Sequence, residues 1–121
     1  MQIAQENFYK KFLGRVGEEK AAEFLKKKGY QIIKTNYRSH FGEADIIAKD
    51  GETIVFVEVK TRSGDGYGQP SEAVDYKKRE KYFKIATDYL MRTGQSDTAC
   101  RFDVVEIEKG EINHIFDAFS M

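Results

Sequence analysis

The sequence predicts an α/β fold in one domain over residues 1–121, in the order helix, three strands, helix, two strands. Apolar residues recur at helical spacing in two stretches, one ending near Lys28 and one opening near Ser71. Between and after them lie five short runs rich in β-branched and aromatic residues, separated by turn-forming residues. A chain of 121 residues can bury one core and is too short for two.

Composition narrows the partners. Twenty Lys and Arg balance twenty Asp and Glu, so no global field draws the chain to nucleic acid or membrane. A polyanion has to be held by local clusters. The 40% hydrophobic content, with abundant Phe and Tyr, excludes a disordered chain. Cys100 is the single cysteine, which excludes an internal disulfide and a multi-cysteine zinc site. No stretch has the apolar length of a membrane span and the N-terminus lacks a signal-peptide core, so the expected compartment is the cytoplasm.

Residues 1–11 begin the first helix or form a loose arm. Helix character is clear from about Leu13 to Lys28, with Leu13, Val16, Gly17, Ala21, Phe24 and Leu25 on the inward stripe. Gly29 is the expected C′ residue, and Lys26, Lys27 and Lys28 complement the helix dipole. Glu18 flanks the stripe, where it fits a boundary residue paired to a lysine as well as a member of a site. Residues 30–37 are the first strand. His40 follows in a loop, where an exposed histidine is expected rather than a ligand.

Residues 42–60 organise the rest. Asp50-Gly51 reads as a two-residue hairpin loop with both residues at positive φ. Counting back pairs Ile47 with Ile54, Asp45 with Phe56 and Glu43 with Glu58. Strand alternation then puts Glu43, Asp45, Ile47, Ile54, Phe56, Glu58 and Lys60 on one face. Asp45 and Glu58 become diagonal neighbours, roughly 7–8 Å apart at the backbone. The opposite face, Ala44, Ile46, Ala48, Val55, Val57 and Val59, is apolar, and so is the middle of the charged face. A strand apolar on both sides is buried on both sides, so charges at its end are partly desolvated, which is costly unless they meet a cation or each other.

Arg62 to Pro70 form a glycine-rich loop placed to close over the charged face. Pro70 and Ser71 open the second helix, Ser71 as N-cap, with Ala73, Val74, Ile85, Ala86, Tyr89 and Leu90 on its apolar side. Lys77 to Lys84 carry five basic residues against one acidic, a solvated face or a contact for phosphates. Gly94 to Thr98 link to a fourth strand, Arg101 to Glu108. Lys109-Gly110 is a turn, and Glu111 to Phe119 a fifth strand.

An aspartate on one strand and Glu-x-Lys on the next is a weak motif alone, strengthened by the hairpin spacing and by Glu18 on the preceding helix. Asp45 with Glu58-Val59-Lys60 resembles the PD-(D/E)xK nuclease signature, without the proline before the aspartate. The whole stretch from Gly14 to Phe119 resembles the YraN-like family of small bacterial proteins, related to archaeal Holliday-junction resolvases. The resemblance rests on Gly14-Arg15-x-Gly17-Glu18-x-x-Ala21, Asn36-Tyr37-Arg38, Gly42-Glu43-x-Asp45-Ile46-Ile47, Val55 to Arg62, Glu72-Ala73-Val74 and Arg101 to Val105. Ala44 stands where the family usually has isoleucine.

This resemblance implies a restriction-endonuclease-like core, a central mixed sheet of about five strands flanked by helices. It implies a metal-dependent endonuclease acting on phosphodiester bonds of DNA, branched or junction DNA included, with Glu18, Asp45, Glu58 and Lys60 as catalytic residues. Asp45, Glu58 and the Val59 carbonyl would hold Mg²⁺ or Mn²⁺. Arg62, Gln69, Lys77, Lys78, Arg79 and Lys81 are the expected nucleic-acid contacts, and the relation to resolvases implies a homodimer. The alternative is a non-catalytic nucleic-acid-binding or adaptor protein on the same fold.

Overall fold

The structure, a computed structural model, describes residues 2–62 and 75–120, with residues 2–10 as backbone only. Its elements are α1 (Gln2–Lys27), β1 (Gln31–Ser39), β2 (Gly42–Asp50), β3 (Thr53–Arg62), α2 (Tyr76–Arg92), β4 (Cys100–Glu108) and β5 (Glu111–Phe119). The five strands form one sheet in sequence order. β3 and β4 run parallel, and the other neighbours are antiparallel. This mixed α/β sheet with a helix on each face is the expected architecture and is consistent with a restriction-endonuclease-like core. Among the described residues no helix is long and apolar enough to cross a membrane.

Both faces of the sheet are buried, as the two apolar faces of the central hairpin require. Ala21, Ala22 and Leu25 of α1 cover Ile46, Ala48, Val55, Val57, Val105 and Ile107. On the other side Tyr82, Ile85, Ala86, Tyr89 and Leu90 of α2 cover Ile47, Ile54, Phe56, Phe102, Val104 and Phe119. α1 approaches β3 closely because Gly17 has no side chain: a Cβ there would lie 2.1 Å from the Thr61 hydroxyl. The helix starts at Gln2, so the N-terminal residues extend it rather than form an arm. It ends as expected at Gly29, whose φ is 96°, with the Tyr30 N–H donating to the Leu25 carbonyl at 3.0 Å.

α2 begins later than the sequence suggests. Asp75 is its N-cap and accepts from the Lys78 N–H at 2.9 Å. Ser71, Ala73 and Val74, expected as cap and apolar face, lie outside the described residues, as do Pro70 and most of the glycine-rich loop. Cys100 begins β4 half-buried, and burial pushes its thiol up, as suits an unreactive cysteine.

The β2–β3 hairpin corrects the expected register. Asp50 pairs with Thr53, so the loop residues are Gly51 and Glu52, and Phe56 faces Ile47 rather than Asp45. Gly51 has φ 60° while Asp50 and Glu52 stay negative, which fits a II′ turn with glycine first. Arg101 holds Asp50 in the strand, its Nη1 donating to Oδ2 at 3.1 Å. The sum of paired positions shifts by two, so side-chain facing survives. Asp45 now stands one step past the last pair, Ile46 with Val57, level with Glu58 rather than diagonal to it. Ala44 differs from expectation too, joining the α2 core rather than the core of Ile46. The cause lies next door: Asn36 of β1, between the pairs Thr35–Ile46 and Tyr37–Ala44, has φ 51°. Asparagine tolerates this left-handed conformation, and the strand pair turns over there.

A buried polar network ties the far strands together on the α1 side. Asp103, fully buried, accepts from Arg101 Nε at 2.9 Å and Nη2 at 3.1 Å, and from the Asp117 N–H at 2.9 Å. His114 Nε2 lies 2.7 Å from Asp103 Oδ2, and its Nδ1 lies 2.9 Å from Lys28 Nζ. Lysine only donates, so the ring accepts at Nδ1 and donates to Asp103 through Nε2.

Candidate active site

Four elements meet where β2 and β3 part. α1 brings Glu18, β2 brings Asp45, β3 brings Glu58 and Lys60, and α2 brings Lys78 and Tyr82. Asp45 bridges the parting strands, its Oδ2 accepting from the Val59 N–H at 2.8 Å. The Glu58 side chain is 7% exposed. Its Oε1 takes Lys78 Nζ at 2.7 Å and lies 3.4 Å from Lys60 Nζ. Its Oε2 accepts from the Tyr82 hydroxyl at 2.5 Å. Tyr82 is itself buried, with the Val57 carbonyl and the Asp45 N–H each 3.5 Å from its hydroxyl.

Electrostatics follow from this crowding. Burial first, then the adjacent Glu58 charge, pushes the Asp45 carboxyl up to about 7. Burial also raises Glu18, against the opposing hydrogen bond of Asn36. Glu58 goes the other way: burial would raise it, but Lys78 and Tyr82 hold it below the usual carboxylate value. Lys60 is lowered by burial and by Lys78, which together outweigh its attraction to Glu58. Lys78 is raised, because contact with Glu58 outweighs burial.

The sequence-derived site residues are thus distributed unevenly. Glu18, Asp45, Glu58 and Lys60 come together, and Val59 contributes its N–H to Asp45. The basic run of α2 is not one solvated face. Lys77 and Arg79 are exposed, the latter with its guanidinium 6.0 Å from the Phe119 ring. Lys78 leans onto Glu58, and Lys81 lies 5.2 Å from the Tyr82 ring with its stem against Gly42. Arg62 stands 3.8 Å from Glu106. Gln69 lies outside the described residues. His40 is exposed in the β1–β2 turn.

Two members of the site went unnoticed in the sequence. Tyr82 follows Lys78 by four residues, the spacing that puts both on one helix face. Asn36, an unusual residue inside a strand, reaches Glu18 on the wall of a groove of about 450 Å³ between α1 and β1. Asp45, Glu58 and Glu18 are hard oxygen donors of the kind Mg²⁺ takes, and a divalent cation would relieve the burial of Asp45 beside Glu58. Among the described residues, however, no three His, Cys, Asp or Glu side chains stand ready to hold an ion. Both Glu58 oxygens are already engaged within the protein.

Comparison with known proteins gives one family. The description "Uncharacterised protein family UPF0102" matches residues 17–107. A UPF0102 protein of Alkaliphilus oremlandii is 49% identical over 115 residues, covering 90% of this chain and 98% of the relative. One from Symbiobacterium thermophilum is 52% identical over 98 residues, covering 81% and 83% of the two chains. One from Persephonella marina is 45% identical over 108 residues, covering 89% and 93%.

Proposed function

The chain belongs to uncharacterised protein family UPF0102, and from that membership and the site just described we propose that it is a metal-dependent endonuclease of the PD-(D/E)xK superfamily. Its substrate in this reading is DNA, branched or junction DNA included, and the resemblance to archaeal resolvases carries the expectation of a homodimer. The carrying observation is the convergence of Glu18, Asp45, Glu58 and Lys60 at the parting of β2 and β3, where burial and then the Glu58 charge push Asp45 up to about 7. Perturbed carboxylates beside a lysine in a partly buried site mark a functional site more often than a structural one.

Asp45, Glu58 and the Val59 carbonyl would hold Mg²⁺ or Mn²⁺. The bound ion supplies Lewis-acid polarisation of the phosphate and a water of lowered pKa. Glu18, held by Asn36, orients the attacking water. Lys60 orients that water or offsets charge developing at the phosphate. Water oxygen bonds to phosphorus as the phosphorus–oxygen bond to the leaving sugar breaks, and the proton the water gives up ends on the leaving sugar oxygen. Lys77 and Lys81 extend positive charge along the path of the backbone.

A second reading is a nucleic-acid-binding or adaptor protein without turnover. It is favoured by Glu58, whose oxygens are satisfied by Lys78 and Tyr82 with no ion required. Incubation with Mg²⁺ or Mn²⁺ and linear, nicked, flapped and four-way DNA separates the two. The nuclease gives cleavage that needs metal and falls at least 100-fold in Asp45→Asn. An adaptor cleaves none of these substrates and binds DNA equally well with or without Asp45.

A further inference from the structure

The N-terminus of α2 breaks a local rule. Past its Asp75 cap, the first turn holds Lys77 and Lys78, followed by Arg79, and no acidic residue, although helix N-termini favour negative charge. Such violations concentrate at functional sites. Here the misplaced charge has a destination: Lys78 Nζ sits 2.7 Å from Glu58 Oε1. Lys60 Nζ shares the same oxygen at 3.4 Å. One carboxylate oxygen serves two ammonium groups, and whichever of them gives it up carries a positive charge free to meet a phosphodiester.

The three partners of Glu58 differ in freedom to leave. Tyr82 is fully buried in the α2 core and its hydroxyl is hemmed by Val57 and Asp45. Lys60 stands one pleat from Glu58 on the same strand, so it stays beside that carboxylate. Lys78 is 29% exposed and carries a long flexible stem at a helix end. Resting on the reading of this site as a metal-dependent nuclease, we propose that Lys78 is an internal counter-cation and phosphate ligand. It holds Glu58 Oε1 when no divalent ion is present, yields that oxygen on metal binding, and then pairs with a phosphate of the nucleic acid. Metal and nucleic acid therefore bind cooperatively through Lys78, which acts as a positioning residue rather than in the bond-breaking step.

Metal-stripped protein titrated with Mn²⁺, with free Mn²⁺ read by electron paramagnetic resonance, tests this without turnover. Lys78→Met binds Mn²⁺ at least fivefold more tightly than wild type, because its competitor is gone. Lys78→Arg, which keeps the charge, stays near wild type and controls for misfolding. With Ca²⁺ and a labelled four-way DNA, Lys78→Met loses at least fivefold in DNA affinity, against less than twofold in EDTA. Unchanged or weaker Mn²⁺ binding in Lys78→Met overturns the proposal. Tighter Mn²⁺ binding with no DNA cleavage in any variant keeps Lys78 in its role and removes the nuclease reading. Absence of Mn²⁺ binding that depends on Asp45 in every variant removes both.

Discussion

At Asp103 and Glu58 two buried carboxylates have opposite purposes. Asp103 is saturated by Arg101, His114 and a backbone N–H, and these hold it below its ordinary value of 3.8 although burial works against them. A carboxylate depressed on folding stabilises the protein above that ordinary value, and the contribution fades as pH falls through its folded pKa. Asp103→Asn leaves Arg101 with Asp50 as its remaining carboxylate and costs about 3 kcal/mol, as breaking a buried pair does. In urea melts the deficit stays constant above pH 5 and narrows below about pH 4, as wild-type Asp103 itself becomes protonated. Glu58 is nearly as buried, and its chief partner is a partly exposed ammonium from another element rather than, as at Asp103, a guanidinium on the same strand.

At the level of elements, the site depends on how near α1 comes to β3. Gly17 permits the contact with Thr61, one residue from both Glu18 and Lys60. Alanine favours helix by about 1 kcal/mol over glycine, so a helix considered alone would gain from Gly17→Ala. Overpacking against Thr61 reverses the sign: the variant loses about 1–3 kcal/mol in a thermal or urea melt, and Asp45-dependent cleavage falls with it as Glu18 is displaced. The central hairpin was legible in the sequence because parity survived an error in the turn. The Asp50-Gly51 pair invited a I′ loop, whereas Arg101, distant in sequence, keeps Asp50 in the strand. At β4–β5 the expected loop is found, Lys109 and Gly110 both having positive φ. Lys78 was expected as a phosphate contact, but its pairing with Glu58, like the place of Tyr82 in the site, was illegible because that partner lies 20 or more positions away across a parallel crossover. No local pattern reports such a contact. Asn36 belongs with them: only the fold reveals that its φ turns the strand end over beside Asp45.

For the molecule as a whole, a balanced charge means that a nucleic acid, in the reading proposed above, would be met locally, at the start of α2 and around β2 and β3. Neutralising an exposed phosphate contact should then change the salt response in a countable way. Lys77→Ala weakens DNA binding about two- to fivefold at low salt and reduces the slope of log K against log salt by about 0.9 in anisotropy titrations. The outermost strands have a separate consequence for assembly. β1 has a register slip between Ile32 and Lys34 and a left-handed Asn36. β5 has a slip opposite Phe102 and Val104 and a left-handed Asp117. Neither margin is a straight template on which another copy's backbone can continue the hydrogen-bond ladder. Two molecules acting on one substrate would have to recognise each other through side chains of helices or turns, leaving each sheet five strands wide.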